Sequence, residues 1–294
     1  MRRRVKLLVT GASGFLGSRT TELLRERAHD VVPLVRPGGR ERSRVPEGAI
    51  AVDAGDVAAR DLIAGCDAVL HFAGVPDPAS SAADPARAVR ENAGTTLNML
   101  EGAEHHGAGF VYPSTIRAAL EPPPDEYAFS KRLGELVCRL HWWPSAVVRL
   151  PSVFGPGQVA SEGATGAIAA FAARALAGET ITIPGDPHRT RDFVYVDDVV
   201  DGLERIVTDA AWEPATFSSG IGTPLIRAAE LVVEAAGSPS RVETPGGNLP
   251  EGENESYRGD GPSIRFTPRP LERGISDYVD WLHAHTAAQG RTRA

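Results

Sequence analysis

Tyr127 and Lys131 stand one helical turn apart in the run Tyr127-Ala128-Phe129-Ser130-Lys131, so a phenol and an ammonium share one helix face. A phenol with a reference pKa of about 10 shuttles protons poorly until a nearby cation steadies its phenolate, and Lys131 is placed to be that cation. Thr115, with Ser114 as the alternative, closes an apolar segment and can hydrogen-bond the oxygen that gains or loses the proton. The three groups make an acid/base and orienting set. A second constellation is the run Val9-Thr10-Gly11-Ala12-Ser13-Gly14-Phe15-Leu16-Gly17. Its glycines let the backbone bend tightly and approach an anion, and the amides opening the next helix attract a phosphate. The two runs together predict a bound dinucleotide with proton-coupled redox chemistry beside it.

The elements that must hold these groups alternate regularly. Val5 to Val9 reads as a buried strand, and Leu16, Thr20, Leu23 and Leu24 recur at helical spacing. Further strands are expected at 30–35, 49–52, 68–72, 110–112 and 146–150. A helix entered through Asp84-Pro85 should run to about Gly107, and another should carry Tyr127 to Leu140. Short apolar strands alternating with helices imply α/β architecture: a doubly wound parallel sheet covered on both faces. The second half is less regular. Helices are expected at 164–177, 197–208, 226–236 and 271–285, strands at 180–183, 192–196 and 216–219, and a loop at 241–254. This predicts a dinucleotide-binding domain over 1–150 with return segments at about 190–220. A smaller interleaved C-terminal lobe would comprise 151–189 and 221–285, with a disordered tail at 286–294.

Bulk properties narrow the partners. The chain of 294 residues has 42% hydrophobic and 23% charged residues, enough for a sizeable core. A formal charge of −7 argues against nucleic acid or an anionic membrane surface as partner. The apolar run after the basic start ends within a few residues and reads as a strand, not a signal peptide, and no later run has membrane-spanning length. Cys66 and Cys138 lack metal-ligand spacing and read as small buried hydrophobes in a reducing, cytoplasmic setting; no metal is expected.

Several blocks together resemble the extended short-chain dehydrogenase/reductase family of nucleotide-sugar epimerases, dehydratases and reductases. They are Thr10 to Gly17, Gly55-Asp56-Val57, His71-Phe72-Ala73-Gly74, Asn92, Pro113-Ser114-Thr115, Tyr127 to Lys131, Arg149 to Gly157, and Arg191 to Asp198, in order along nearly the whole chain. The resemblance implies a Rossmann fold and an NAD(P)-dependent oxidoreductase. In it Gly11, Ser13, Gly14, Phe15, Leu16, Gly17, Asn92, Tyr127 and Lys131 hold the cofactor, Asp56 and Val57 contact adenine, and Phe72, Ala73 and Gly74 line the site. It further implies that Arg191 reaches the substrate diphosphate, that Ser152 stands where many relatives have asparagine near that diphosphate, and that the Asp84 and Tyr127 helices form a homodimer.

The residue at the end of the second strand bears on the cofactor. NAD-binding folds commonly place an acid there to accept from the ribose hydroxyl. This chain has Arg36, suited to a 2′-phosphate with Arg40 or Arg42 assisting, so NADP(H) is expected, with NAD(H) as the alternative. The related dehydratases follow the strand-five threonine with an acid pair, and the decarboxylases resemble them with a glutamate; here the sequence is Thr115-Ile116-Arg117. Simple hydride transfer remains. The expectation is NADPH-dependent reduction of a 4-keto-6-deoxyhexose on a nucleotide carrier. The alternatives are an NAD-dependent nucleotide-sugar 4-epimerase and a non-catalytic NADP-binding sensor.

Overall fold

The structure is a computed structural model that describes residues 3–38, 45–141, 143–160, 166–249, 253, 255–263 and 266–292, with side chains as far as Thr286. The chain divides into two compact units. Unit one comprises residues 1–150, 199–217 and 263–266; unit two comprises 151–198, 218–262 and 267–294.

Unit one is built on a seven-stranded sheet whose paired neighbours all run parallel. Its strands are β1 (Lys6–Thr10), β2 (Asp30–Val35), β3 (Ile50–Ala51), β4 (Ala68–His71), β5 (Gly109–Thr115), β6 (Ser145–Leu150) and β11 (Ala215–Thr216). Their order is β11-β6-β5-β4-β1-β2-β3, so the chain winds outward from β1 in one direction and then returns to wind the other way from β4. This is the Rossmann-like α/β arrangement. The reversal falls between β1 and β4, where Thr10 pairs with His71 at the carboxyl ends, and open α/β sheets bind ligands beyond such a switch point. Every residue of β4 and β5 is buried, as parallel strands covered on both faces require. Helices α1 (Phe15–Glu26), α4 (Thr95–His106) and α5 (Glu126–Leu140) belong to this unit, as do the short α2 (Pro78–Ala83) and α3 (Pro85–Val89).

One departure from the expected elements matters for the site. The helix expected from Asp84 to Gly107 is interrupted at Arg90–Gly94 by one wide π turn, so α3 and α4 are separate segments. Such turns shift the register of the faces on either side. Glu91 and Asn92 sit within it, and Asn92 is buried.

In unit two, β7 (Ser152–Phe154) pairs with β10 (Phe193–Tyr195), β9 (Thr190–Arg191) with β12 (Thr223–Pro224), and β8 (Ile181–Pro184) with β13 (Val242–Gly246). Helices α6 (Ala167–Leu176), α8 (Leu225–Ala235) and α9 (Leu271–Thr292) pack around Phe154, Phe171, Phe193, Tyr195 and Tyr278. Helix α7 (Val196–Thr208) begins in unit two and continues into unit one. Strand β13 falls where a loop was expected: its Pro and Gly hide any alternation, and pairing with β8 supplies the order. Residues 250–252 and 254 of that expected loop lie outside the described residues, as do 164–165 of the helix expected at 164–177. The last helix continues to Thr292 where the sequence reading ended it at His285; Ala287, Ala288 and Gln289 are good helix formers. No helix among the described residues is long and apolar enough to cross a membrane.

Candidate active site

The turn between β1 and α1 is shaped by its glycines. Gly11 has φ of 63°, and a Cβ there would lie 2.8 Å from the amide nitrogen of Ala73. At Gly17 a Cβ would come within 2.3 Å of the Gly11 carbonyl oxygen, so packing alone excludes a side chain. At Gly14 the one atom met is the same carbonyl, at 3.3 Å. Helix α1 has no side-chain cap and no acid in its first turn, whereas α2, α3 and α5 are capped by Asp77, Asp84 and Asp125. A helix start left uncapped beside a glycine turn presents its amides and its dipole to an anion. These residues fit the pyrophosphate of a dinucleotide.

The floor of the turn is tied together by a buried relay. Ala73 N donates to Thr10 Oγ1 (3.1 Å), and Thr10 Oγ1 lies 2.9 Å from His71 Nδ1, whose other nitrogen is 3.2 Å from Thr95 Oγ1. Complete burial, assisted by the Lys131 charge, pushes the His71 pKa down to about 3, so the ring is neutral and structural. The segment Phe72-Ala73-Gly74-Val75 is also clamped by Asn92, which accepts from Val75 N (2.9 Å) and donates to Val75 O (3.2 Å) and Ser130 Oγ (2.8 Å). A Cβ on Gly74 would lie 2.2 Å from Asn92 Oδ1. Asn92 therefore fixes the lining segment to α5, a role the motif could not display.

In the segment after β3, Asp56 caps the helical turn Val57–Ile63, and Val57 is 65% exposed, an apolar side chain offered to solvent. Asn98, which sequence reading did not single out, donates to the carbonyls of Ala54 and Asp56 (both 2.8 Å) and fixes that turn. Arg36 follows β2 as expected, but two carboxylates hold its guanidinium. Nε is 3.1 Å from Asp53 Oδ2, and Nη2 is 3.1 Å from Glu91 Oε2. Glu91 also receives Arg87 Nε at 2.7 Å, and these arginines hold its carboxyl below the usual range despite burial. Arg40 and Arg42 lie outside the described residues.

Thr115 ends β5 and is buried; its Oγ1 accepts from Arg117 N (3.3 Å). Ser114 points to the opposite face, where its hydroxyl donates to Glu135 Oε1 (2.6 Å), a carboxylate also bound by Arg149 Nη2 (2.6 Å). Ser114 is thus committed to a buried network. Tyr127 lies in the first turn of α5, and Gly134 lets that helix approach β5 so closely that a Cβ would be 2.2 Å from the Tyr112 hydroxyl. Burial pushes the Tyr127 phenol up to about 12; Arg117 opposes that rise, while Asp125 and Asp77 add to it. Lys131 follows one turn later on α5. Its ammonium sits 4.3 Å from the centre of the Tyr112 ring, and burial lowers its pKa to about 8 against the opposing pull of Cys138 and Glu135.

Ser152 and Arg191 belong to unit two. Ser152 opens β7, and its amide donates to Asp192 O (2.9 Å). Arg191 donates to the carbonyls of Thr190 (3.0 Å), Glu255 and Glu253 (2.9 Å), and its guanidinium lies 5.0 Å from the Tyr257 ring centre. The neighbouring Asp192 carboxylate is buried and accepts from the amides of Ser219, Gly220 and Gly259.

A doubly wound sheet with a glycine turn after its first strand and a tyrosine–lysine pair on α5 is the setting of an NAD(P)-dependent enzyme of the oxidoreductase type. Residues 7–218 match the NAD dependent epimerase/dehydratase family, and the chain belongs to it. The chain is similar to dTDP-4-dehydro-6-deoxy-D-allose reductase of Streptomyces bikiniensis, 26% identical over 319 residues covering 95% of this chain and 97% of that one. It is also similar to UDP-glucuronic acid decarboxylase 1 of Xenopus tropicalis, 25% identical over 99% of this chain and 75% of the relative. Among solved structures, the Thermus thermophilus UDP-glucose 4-epimerase in complex with NAD superposes with a TM-score of 0.82 at 27% identity, covering 95% of this chain and 99% of that one.

Proposed function

We propose that this enzyme reduces a carbonyl on a nucleotide-linked sugar with NADPH, and within that class the 4-keto group of a 4-keto-6-deoxyhexose. The observation that carries this reading is the turn after β5. Thr115 is followed by Ile116 and Arg117, and the carboxylate held against that turn, Asp125, is committed to Arg117 and to Ala128 N (2.7 Å). Elimination of water from the ring needs a base and an acid beyond the tyrosine, whereas carbonyl reduction needs only one proton donor and an orienting hydroxyl. The reductase from Streptomyces bikiniensis supports the same assignment.

In this reading Thr115 Oγ1 orients the carbonyl oxygen and Tyr127 Oη donates the proton to it, while Lys131 and the amides of α1 hold the dinucleotide. Gly11, Ser13, Gly14, Phe15, Leu16, Gly17, Phe72, Ala73 and Gly74 border it, Asp56 and Val57 meet the adenine, and Ser152 and Arg191 serve the substrate. The nicotinamide supplies the hydride when bound. A phenol kept protonated by burial suits a proton donor at neutral pH.

The carboxylates on Arg36 favour a second reading. A 2′-phosphate would have to displace Asp53 and Glu91, whereas an unsubstituted ribose would not, as expected if NAD stays bound and returns its hydride in a 4-epimerase. We further propose a homodimer through α4 and α5, because Phe129, Leu136 and Leu140 lie exposed on α5 at helical spacing and Leu97 is exposed on α4. The free buried cysteines Cys66 and Cys138 support a cytoplasmic setting.

The decisive experiment offers the purified protein a dTDP-4-keto-6-deoxyhexose with NADPH or NADH, and separately UDP-glucose alone. Consumption of reduced cofactor with formation of the 6-deoxyhexose establishes the reductase. Interconversion of UDP-hexose epimers with retained NAD establishes the epimerase, and tight NADPH binding without any turnover identifies a sensor.

A further inference from the structure

Tyr112 passed through the sequence reading as an ordinary strand residue, yet its ring lies against the Lys131 ammonium, with Nζ 4.3 Å from the ring centre. Tyr112 and Ser114 share one face of β5, and α5 meets them with Lys131 and Glu135, one turn apart. The Tyr112 hydroxyl donates to the carbonyls of Asn92 (3.2 Å) and Lys131 (3.4 Å), and Gly134 leaves the space for it. The ring is therefore tied through its hydroxyl to the π turn and to the helix that carries the lysine.

Two features make this ring a holder of charge. Tyr112 is fully buried, and burial keeps its phenol protonated, with a pKa well above the ordinary range, so the ammonium meets a neutral π face and not a phenolate. Glu135 is occupied by Ser114 and Arg149, and among the described residues no hydrogen bond or ion pair takes the Lys131 ammonium. A π face attracts a cation without using up its N–H donors, so all of them stay available to a ligand. The other titratable groups around Lys131 are Cys138 and Glu135 on α5 and His71 at the end of β4, the last of them neutral.

We propose that Tyr112 is a positioning residue for Lys131, its ring holding the ammonium by cation–π attraction while the N–H donors are left for the ribose hydroxyls of the dinucleotide. This inference rests on the reading in which Lys131 holds the dinucleotide. A charge stationed before the ligand arrives loses less freedom on binding, so the ring contributes to affinity through the lysine.

The test needs no substrate. Lys6 and Lys131 are the two lysines of the chain, so carbon NMR of lysine labelled at Cε follows Lys131 with Lys6 as internal reference. The parent should titrate at about pH 8. Tyr112→Phe keeps the π face and should leave the Lys131 midpoint nearly unchanged. Phenylalanines carrying one, two and three ring fluorines at position 112 keep that shape but weaken the negative face, and should lower the midpoint stepwise, by about one pH unit at three fluorines. Fluorescence titration should show NADPH and NADH affinities falling in the same order, by about fivefold at three fluorines. The whole series lacks the hydroxyl alike, so a merely structural role moves neither readout along it. If Tyr112→Phe does not fold, a singly fluorinated tyrosine at position 112 retains the hydroxyl and must still lower the midpoint. A midpoint that stays level along the series overturns the proposal, as does level affinity where Lys131→Met loses it. A stepwise fall with cofactor affinity unchanged even in Lys131→Met would uphold the hold on the ammonium and discard the reading of Lys131 as the cofactor's cation. A level midpoint with affinity lost in Lys131→Met would do the reverse.

Discussion

The Arg36 guanidinium and the Glu91 carboxylate meet side by side, with Nη1 to Oε1 and Nη2 to Oε2 both at 3.1 Å. Asp53 occupies the remaining Nε edge at 3.1 Å, so the one described arginine at the end of β2 is engaged by two carboxylates. Removing either charge should make Arg36 more available to a phosphate. Glu91→Gln and Asp53→Asn are each expected to tighten NADPH relative to NADH by about tenfold, corresponding to roughly 1.4 kcal/mol. Fluorescence titration with the two cofactors measures this; an unchanged ratio would show that Arg36 does not face the ribose.

Tyr127→Phe removes the proton donor and leaves the ring. Turnover should fall on the order of 10²–10⁴-fold while cofactor affinity stays within about twofold. Steady-state kinetics paired with a cofactor titration separate the two effects, and full activity in the variant would dismiss Tyr127 as the acid.

The glycines of the first turn should divide by role. Gly17→Ala places a methyl against the Gly11 carbonyl and is expected to cost about 1–3 kcal/mol of stability, read as a lower midpoint in urea. Gly14→Ala meets only a 3.3 Å contact, so its main effect should be weaker dinucleotide binding with a nearly unchanged urea midpoint.

His71 gives the fold an acid-sensitive element. Its pKa falls from 6.5 to about 3 on folding, so between those values the unfolded chain binds a proton that the folded chain does not. Stability from this group is complete above 6.5 and is lost as pH drops toward 3, amounting to roughly 5 kcal/mol in all. His71→Gln removes the titration, and its urea midpoint should therefore decline less steeply between about pH 7 and pH 4 than that of the parent.

The exposed apolar stripe on α5 bears on assembly. Leu140, 77% exposed, and Leu136 lie on one face with Phe129. Leu136→Glu combined with Leu140→Glu should convert a dimer to a monomer in light scattering without lowering the melting temperature of the monomeric fold. A parent already monomeric at high concentration would remove the dimer proposal.

Much of unit one was legible because its signals are local. Strand β2 occupies the expected residues Asp30–Val35, and the aspartate before Pro85 caps a helix as its type requires. The π turn at Arg90–Gly94 was not legible, since its residues also suit an ordinary helix and the insertion places Asn92 against Val75. Strand β13 was hidden by Pro245 and Gly246, and it is ordered by a partner some sixty residues earlier in the chain.

The linear chain by itself determined the glycine turn between β1 and α1, the order of the strands along the chain, and the placing of Thr115 at the end of β5 and of Tyr127 and Lys131 one turn apart on α5, because each depends on spacing within a turn or on the end of a strand. Tertiary structure alone decided which charge faces which. Arg36 meets Glu91 across 55 positions, Ser114 is taken by Glu135, Lys131 turns to Tyr112, and Arg117 joins Asp125. Electrostatic pairing depends on distance in space and on burial, and for these side chains both are set only when the sheet brings remote segments side by side.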